Sequence, residues 1–211
     1  MKPINRKLLR VLIWLVMIVF IITIGLAWWF YPDQYKFWQY FISEFGARET
    51  LLGHPNTASM YIFGLGIMLC GLITFIMALI YFIRNEKSIL HILKGLSLLT
   101  ISVGTLGIMN PYDLVQNHFI HPLGATLFVI GLDIYTFFCQ FLRFKNRKIT
   151  LDTGEPKPIT FDKYFVFLIL AVSIAFLVLA ILNIKSWLPP MQKVILILSV
   201  FGIAILDLDD F

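Results

Sequence analysis

Three of the four histidines, His54, His118 and His121, gather in or at the edge of connections between apolar stretches, on one predicted face with Ser43, Glu44, Glu49 and Asp113. Imidazole and carboxylate together are an ordinary ligand set for zinc and an ordinary pairing for general acid–base chemistry. His118 and His121 stand three apart, so a helix running through them brings both to one face. On this reading His54, Asp113, His118 and His121 are candidate metal ligands, with Glu44 as a candidate base. The chain holds neither His-Glu-x-x-His nor a paired-cysteine spacing, the arrangements that point most directly to zinc. A histidine at a membrane interface also serves as a helix cap or a hydrogen-bond partner.

A second group stands apart. Asp133 lies inside an apolar run, where a lone carboxylate costs on the order of 3 kcal/mol on insertion scales and calls for a partner or a wet cavity. Lys94, which enters the preceding run from the same side, is the expected partner in an intramembrane ion pair. The transport version of the same pair is a proton or ion relay centred on Asp133.

The elements that must position these groups are helices in lipid. Hydrophobic residues make up 59% of the 211, charged residues 14%, and the mean hydropathy is +0.86, far from the roughly 25% charged residues of soluble domains. Six runs, at about 9–31, 58–83, 89–109, 117–142, 164–184 and 188–206, meet the roughly 20 apolar residues that a bilayer-crossing helix needs. They are continuous rather than alternating, which favours helices over a barrel. The expected fold is all-α: a polytopic membrane protein in which residues 1–211 form one six-transmembrane-helix bundle.

The first run follows Lys2, Arg6, Lys7 and Arg10 but exceeds a signal-peptide core and lacks an Ala-x-Ala exit, so it is expected to be a retained helix. Cys70 and Cys139 fall inside helices at different depths, which argues against a disulfide. Thirteen of the seventeen basic residues lie at the N-terminus and in the second and fourth connections, leaving Lys36, Arg48, Lys185 and Lys193 on the other face. Basic residues resist translocation, so both termini are expected to be cytoplasmic in a multi-pass protein of the cell membrane. The net charge of +5 is this same bias, and Arg143 to Lys148 points to anionic membrane lipid rather than to nucleic acid.

Smaller features complete the expected architecture. Tyr35, Trp38, Phe41 or Ile42 and Phe45 share a helical face, predicting a short helix over about 34–45 in the outer interface. Lys145 to Lys163, with Gly154, Pro156 and Pro158, reads as a tether. Gly64, Gly66, Gly71, Gly104, Gly124 and Gly131 are candidate helix-packing positions. Pro189 and Pro190 mark the start of the last helix.

Ile42-Ser-Glu-Phe-Gly-Ala47, Asn56, Phe63-Gly-Leu-Gly66, Gly104 and Gly107 with Asn110-Pro-Tyr-Asp113, and His118 with His121-Pro-Leu-Gly-Ala125 resemble a family of prokaryotic six-helix membrane proteins of unknown function. That family is distantly similar to the DRAM-like membrane proteins of eukaryotes. The likeness covers about residues 41–131 and implies a six-helix bundle with both ends inside, but no reaction. The ceramidase-like and progestin-receptor-like membrane hydrolases offer a fold-level analogy through their Ser, Asp and His zinc site. This sequence departs from them, having no seventh helix and no His-x-x-x-His in a late helix.

Three functions follow as expectations. The first is a structural or lipid-interacting membrane protein whose partners are membrane lipids. Next comes a metal-dependent membrane hydrolase or transferase carrying zinc on the outer face. The last is a small transporter built around Asp133.

Overall fold

The computed structural model describes residues 6–83, 89–111, 113, 119–152, 161–182 and 184–204. His118 and the Gly154–Pro158 part of the expected tether lie outside the described residues. Among the described residues the chain forms six α-helices and two short 3-10 helices, and its one β feature is an isolated bridge between Glu49 and Pro55. The helices are α1 (Arg6–Trp29), α2 (Thr57–Ile83), α3 (Ile89–Ile108), α4 (Ile120–Asp152), α5 (Phe161–Ile181) and α6 (Leu188–Ala204). The 3-10 segments are Ile42–Gly46 and Lys185–Trp187.

Five helical stretches are long and apolar enough to cross a membrane: Lys7–Trp29, Thr57–Ile83, Ile89–Ile108, Ile120–Phe141 and Lys185–Ile203. A shorter apolar stretch, Phe167–Ile181, belongs to α5. Large apolar side chains face outward along these helices; Leu65 and Leu106 are each 61% exposed. The interior meanwhile holds Asn56, Lys94, Gln140, Gln192 and Lys193. Such a distribution suits hydrocarbon outside, where exposed leucine is at no disadvantage and a helix satisfies its own backbone.

The closest packing joins α3 to α4, followed by α2 to α3 and α1 to α2, while α4, α5 and α6 meet more loosely. Glycine accounts for the first seam. A Cβ on Gly107 would lie 2.7 Å from the Gly124 Cα, and one on Gly124 would lie 2.7 Å from the Gly104 carbonyl oxygen. Gly131 repeats this lower down, against the Ile101 nitrogen and the Ser97 carbonyl. Backbones this close gain dispersion contacts that substitute for the hydrophobic drive absent in lipid.

Two expected elements take another form. The helix expected over 34–45 is absent; residues 37–40 form turns and the only helical piece is the 3-10 segment Ile42–Gly46. Along a straight helix Tyr35 and Phe45 would be about 15 Å apart, whereas their ring centroids are 4.3 Å apart. Tyr31 closes on both rings, at 5.9 Å from Tyr35 and 5.5 Å from Phe45, so aromatic packing folds the segment back on itself. At the other correction, α4 runs through the start of the expected tether to Asp152. Its extension contains Arg143, Lys145, Arg147 and Lys148 and no glycine or proline, a composition that favours continued helix.

The chain direction of the helices gathers residues 30–56, the α3–α4 connection and the α5–α6 connection at one end of the bundle, called the loop end below.

Candidate functional site

The loop end is organised by backbone carbonyls held from buried side chains. Asn56, immediately before α2, donates from Nδ2 to the carbonyls of Phe45 (3.1 Å) and Ala47 (2.9 Å). Ser59, one turn into α2, donates from Oγ to the same Phe45 carbonyl at 3.1 Å. Gly46 lies flat between them; a Cβ there would meet Phe63 Cδ1 at 2.8 Å. From α6, Gln192 Oε1 accepts the Ile42 N–H at 3.2 Å. Lys193 donates to the Tyr40 carbonyl and lies over the rings of Phe37 (5.3 Å) and Tyr35 (5.9 Å). These contacts fix the 3-10 segment Ile42–Gly46, and with it Ser43 and Glu44.

Asn110 and Asp113, which follow α3, are held in their turn. His121, 4% exposed in the first turn of α4, has Nδ1 2.7 Å from the Asn110 carbonyl oxygen. A carbonyl can only accept, so the network assigns the proton to Nδ1 and leaves Nε2 with a lone pair. Asp113 Oδ2 accepts the N–H groups of Arg48 (3.0 Å) and Glu49 (3.2 Å), joining Asp113 to the first loop.

A cavity of about 440 Å³ opens between α4, α5 and α6 beneath the 3-10 segment. At the loop end its lining holds the polar Ser43, Glu44, His121 and Gln192 beside Phe41, Pro122, Ala180 and Leu188; farther down come Ala125, Val129 and Ile130 of α4 and Phe176 and Leu177 of α5. From His121 to Ile130 the α4 wall measures about 14 Å by helical rise. The hydrogen-bonding side chains Ser43, Glu44, His121 and Gln192 are therefore gathered toward one end, and the deeper lining, Thr126 apart, is hydrocarbon.

A separate clasp holds the surface loop. Asp33 accepts the Thr50 hydroxyl proton through Oδ2, and its Oδ1 lies 2.7 Å from His54 Nδ1. Thr50 Oγ in turn accepts the N–H groups of Leu52 (3.3 Å) and His54 (3.2 Å), and Gly53 turns the chain at φ +83°, a conformation natural to glycine. The Thr50 hydroxyl, chiefly, and then the hydrogen bond and charge of His54 hold the Asp33 carboxyl below the usual carboxylate range, against an opposing effect of burial. Nearby, the Tyr31 hydroxyl is pushed up to about 12 by burial, with the Glu44 charge adding to it.

The candidate ligand set thus divides among three places. His54 is engaged with Asp33 and has a 62% exposed side chain, Asp113 holds backbone N–H groups, and His121 lines the cavity with Glu44. Among the described residues no three His, Cys, Asp or Glu side chains are grouped to hold a metal ion. The Asp133 carboxyl has the Ser173 hydroxyl of α5 as its polar neighbour, Lys94 is buried in α3, and Asp133 is not part of the cavity lining. Helical rise places Asp133 and Lys94 at similar depth, and the hydroxyl neighbour of Asp133 comes from α5.

Sequence reasoning does not single out Asp33, Thr50 or Gln192. For Gln192 there is a signal: Gln192-Lys193 is a polar pair inside an otherwise apolar helix, and such pairs mark packing or binding positions in membranes. Asp33 and Thr50 are polar loop residues 17 apart whose meeting depends on the fold. Compared with protein-family models, characterised proteins and solved structures, the chain matches none.

Proposed function

We propose that this is a multi-pass integral membrane protein that binds a membrane lipid in the groove between α4, α5 and α6. The acyl part lies along Ala125, Val129, Ile130 and Phe176, and the head group meets Ser43, Glu44, His121 and Gln192. The observation that carries this reading is the lining of the 440 Å³ cavity, whose Ser43, Glu44, His121 and Gln192 gather at the loop end above an apolar wall. An amphiphile matches that gradient, because burying its chain is favourable by about 0.8 kcal/mol per methylene while its head needs hydrogen-bonding partners.

The same proposal sets the loop end at the outer face of the cell membrane and both termini in the cytoplasm, on the strength of the basic-residue bias. Kinship with the six-helix, DRAM-like membrane proteins belongs to it too, on the motifs between residues 41 and 131.

The test is to purify the protein with its lipids and compare it with Ala125→Trp and Ala180→Trp, which fill the groove. Mass spectrometry of the bound lipid should fall at least about tenfold in the filled variants, equivalent to two methylenes of lost burial, while helical content and monodispersity are retained. Equal lipid in wild type and in well-folded filled variants would overturn the reading.

A further inference from the structure

The groove has a floor. Its deepest lining residues are Val129 and Ile130 on α4 and Phe176 and Leu177 on α5. One turn farther from the loop end, helical spacing brings Asp133 of α4 and Ser173 of α5 onto the same faces. There the Asp133 carboxyl meets the Ser173 hydroxyl, which donates to the Ile169 carbonyl at 2.7 Å. Below this pair the three helices close. Phe165 and Ile169 of α5 are buried against Phe137 of α4 and Leu198 and Phe201 of α6. A Cβ on Gly202 would lie 2.7 Å from Phe165 Cε1, and Gln140 Nε2 donates to the Gly202 carbonyl at 2.6 Å. A chain end that reaches Asp133 therefore meets polar side chains and packed rings instead of further open space.

We infer that the groove measures its ligand: it takes one acyl chain of about ten to twelve carbons and stops it at the level of Asp133 and Ser173. From Ala125, just under the polar end, to Asp133 the α4 wall descends about 12 Å by helical rise. An extended chain built from bonds of about 1.5 Å advances about 1.3 Å per carbon along its zigzag, so about ten carbons cover that distance. The first carbon or two lie above it, beside the head group. Volume limits the number of chains. At about 30 Å³ for each water-sized group, the 440 Å³ cavity holds about fifteen groups, one such chain and part of a head group but not two chains. The second chain of a diacyl lipid accordingly stays in the bilayer, and carbons beyond about the twelfth press on the floor. This inference rests on the lipid groove proposed above and adds the number and length of the chains it accepts.

The experiment equilibrates the full chain in detergent micelles with an equimolar series of lysophosphatidylcholines, one head group and one even-numbered chain of eight to eighteen carbons. Mass spectrometry then gives the ratio of bound to bulk lipid at each length. The ratio should peak at ten to twelve carbons and be at least about fivefold lower at sixteen, the low end of what overpacking costs. Ile130→Trp, whose ring fills the deepest turn of the groove, should move the peak about four carbons shorter, the length of one helical turn. A ratio that is level across the series, or highest at eight carbons or at fourteen and beyond, overturns the inference and leaves the groove in place where Ala125→Trp still removes the bound lipid. An unmoved peak in well-folded Ile130→Trp overturns it equally. Binding at every length that is the same in wild type and Ala125→Trp overturns the groove itself and the inference with it. The wild-type series needs no variant and decides the matter even where Ile130→Trp fails to fold.

Discussion

Along α4, Gly124 and Gly131 face α3, whereas the adjacent Ala125, Val129 and Ile130 face α5 and α6. On the first side the opposing helix also carries glycine, at Gly104 and Gly107, and the backbones meet. On the second side small residues meet a loosely packed pair of helices, and a 440 Å³ space remains. Small side chains close a membrane interface only when the partner backbone can follow them in; otherwise they leave room for a ligand. One helix is therefore both the anchor of a rigid seam and the wall of an open site.

The comparison is broken most severely at the seam. Gly124→Val would drive its Cβ into the Gly107 backbone, which cannot rotate away as a side chain would. A loss of about 3 kcal/mol is expected from overpacking against main chain, measured as unfolding in matched detergent micelles. Ala180→Leu, on the groove side, should change stability by less than about 1 kcal/mol in the same assay, because the added carbons enter open space. Comparable losses in both variants would remove the distinction between the two faces.

Asn56→Ala ranks next. It deprives the Phe45 and Ala47 carbonyls of the Nδ2 donor, and although Phe45 keeps Ser59, the buried Ala47 carbonyl loses this partner. About 2 kcal/mol of destabilisation is expected. Because this carbonyl pair positions the 3-10 segment that carries Ser43 and Glu44, bound lipid should fall as well. Loss of stability with undiminished lipid binding would separate the loop end from the groove.

What was readable beforehand follows the range of the interactions involved. The apolar runs, the packing glycines and the start of α6 are properties of neighbouring residues, and periodicity and composition expose them directly. The aromatic fold-back of Tyr31, Tyr35 and Phe45 joins residues up to fourteen apart, and a face drawn from helical spacing alone misassigned it. Glu44 and His121 were legible as residues of interest, and they do line one cavity. Their companions were not: His54 turns to Asp33, Asp113 turns to a backbone, and Asp133 has the Ser173 hydroxyl beside it. Residue type names a chemistry, but lateral packing of helices decides which chemistry is assembled.

The smallest expected effect belongs to the surface clasp, which contrasts with the groove in being wet. The folded protein holds a proton on Asp33 less tightly than the unfolded chain does, chiefly through the Thr50 hydroxyl and then through His54. The clasp's contribution is accordingly complete above the ordinary carboxylate value near pH 4 and is lost as pH falls through the lowered value in the folded state. The amides of Leu52 and His54, which donate to Thr50 Oγ, report on it through hydrogen exchange corrected for intrinsic rates. Their protection should decline below about pH 4, while amides in the α3–α4 seam stay protected. Asp33→Asn should weaken protection at neutral pH and remove the acid dependence, because the amide cannot titrate. Acid-dependent protection that persists in Asp33→Asn would assign the titration to another group and reduce the clasp to a turn held by Gly53 and Thr50 alone.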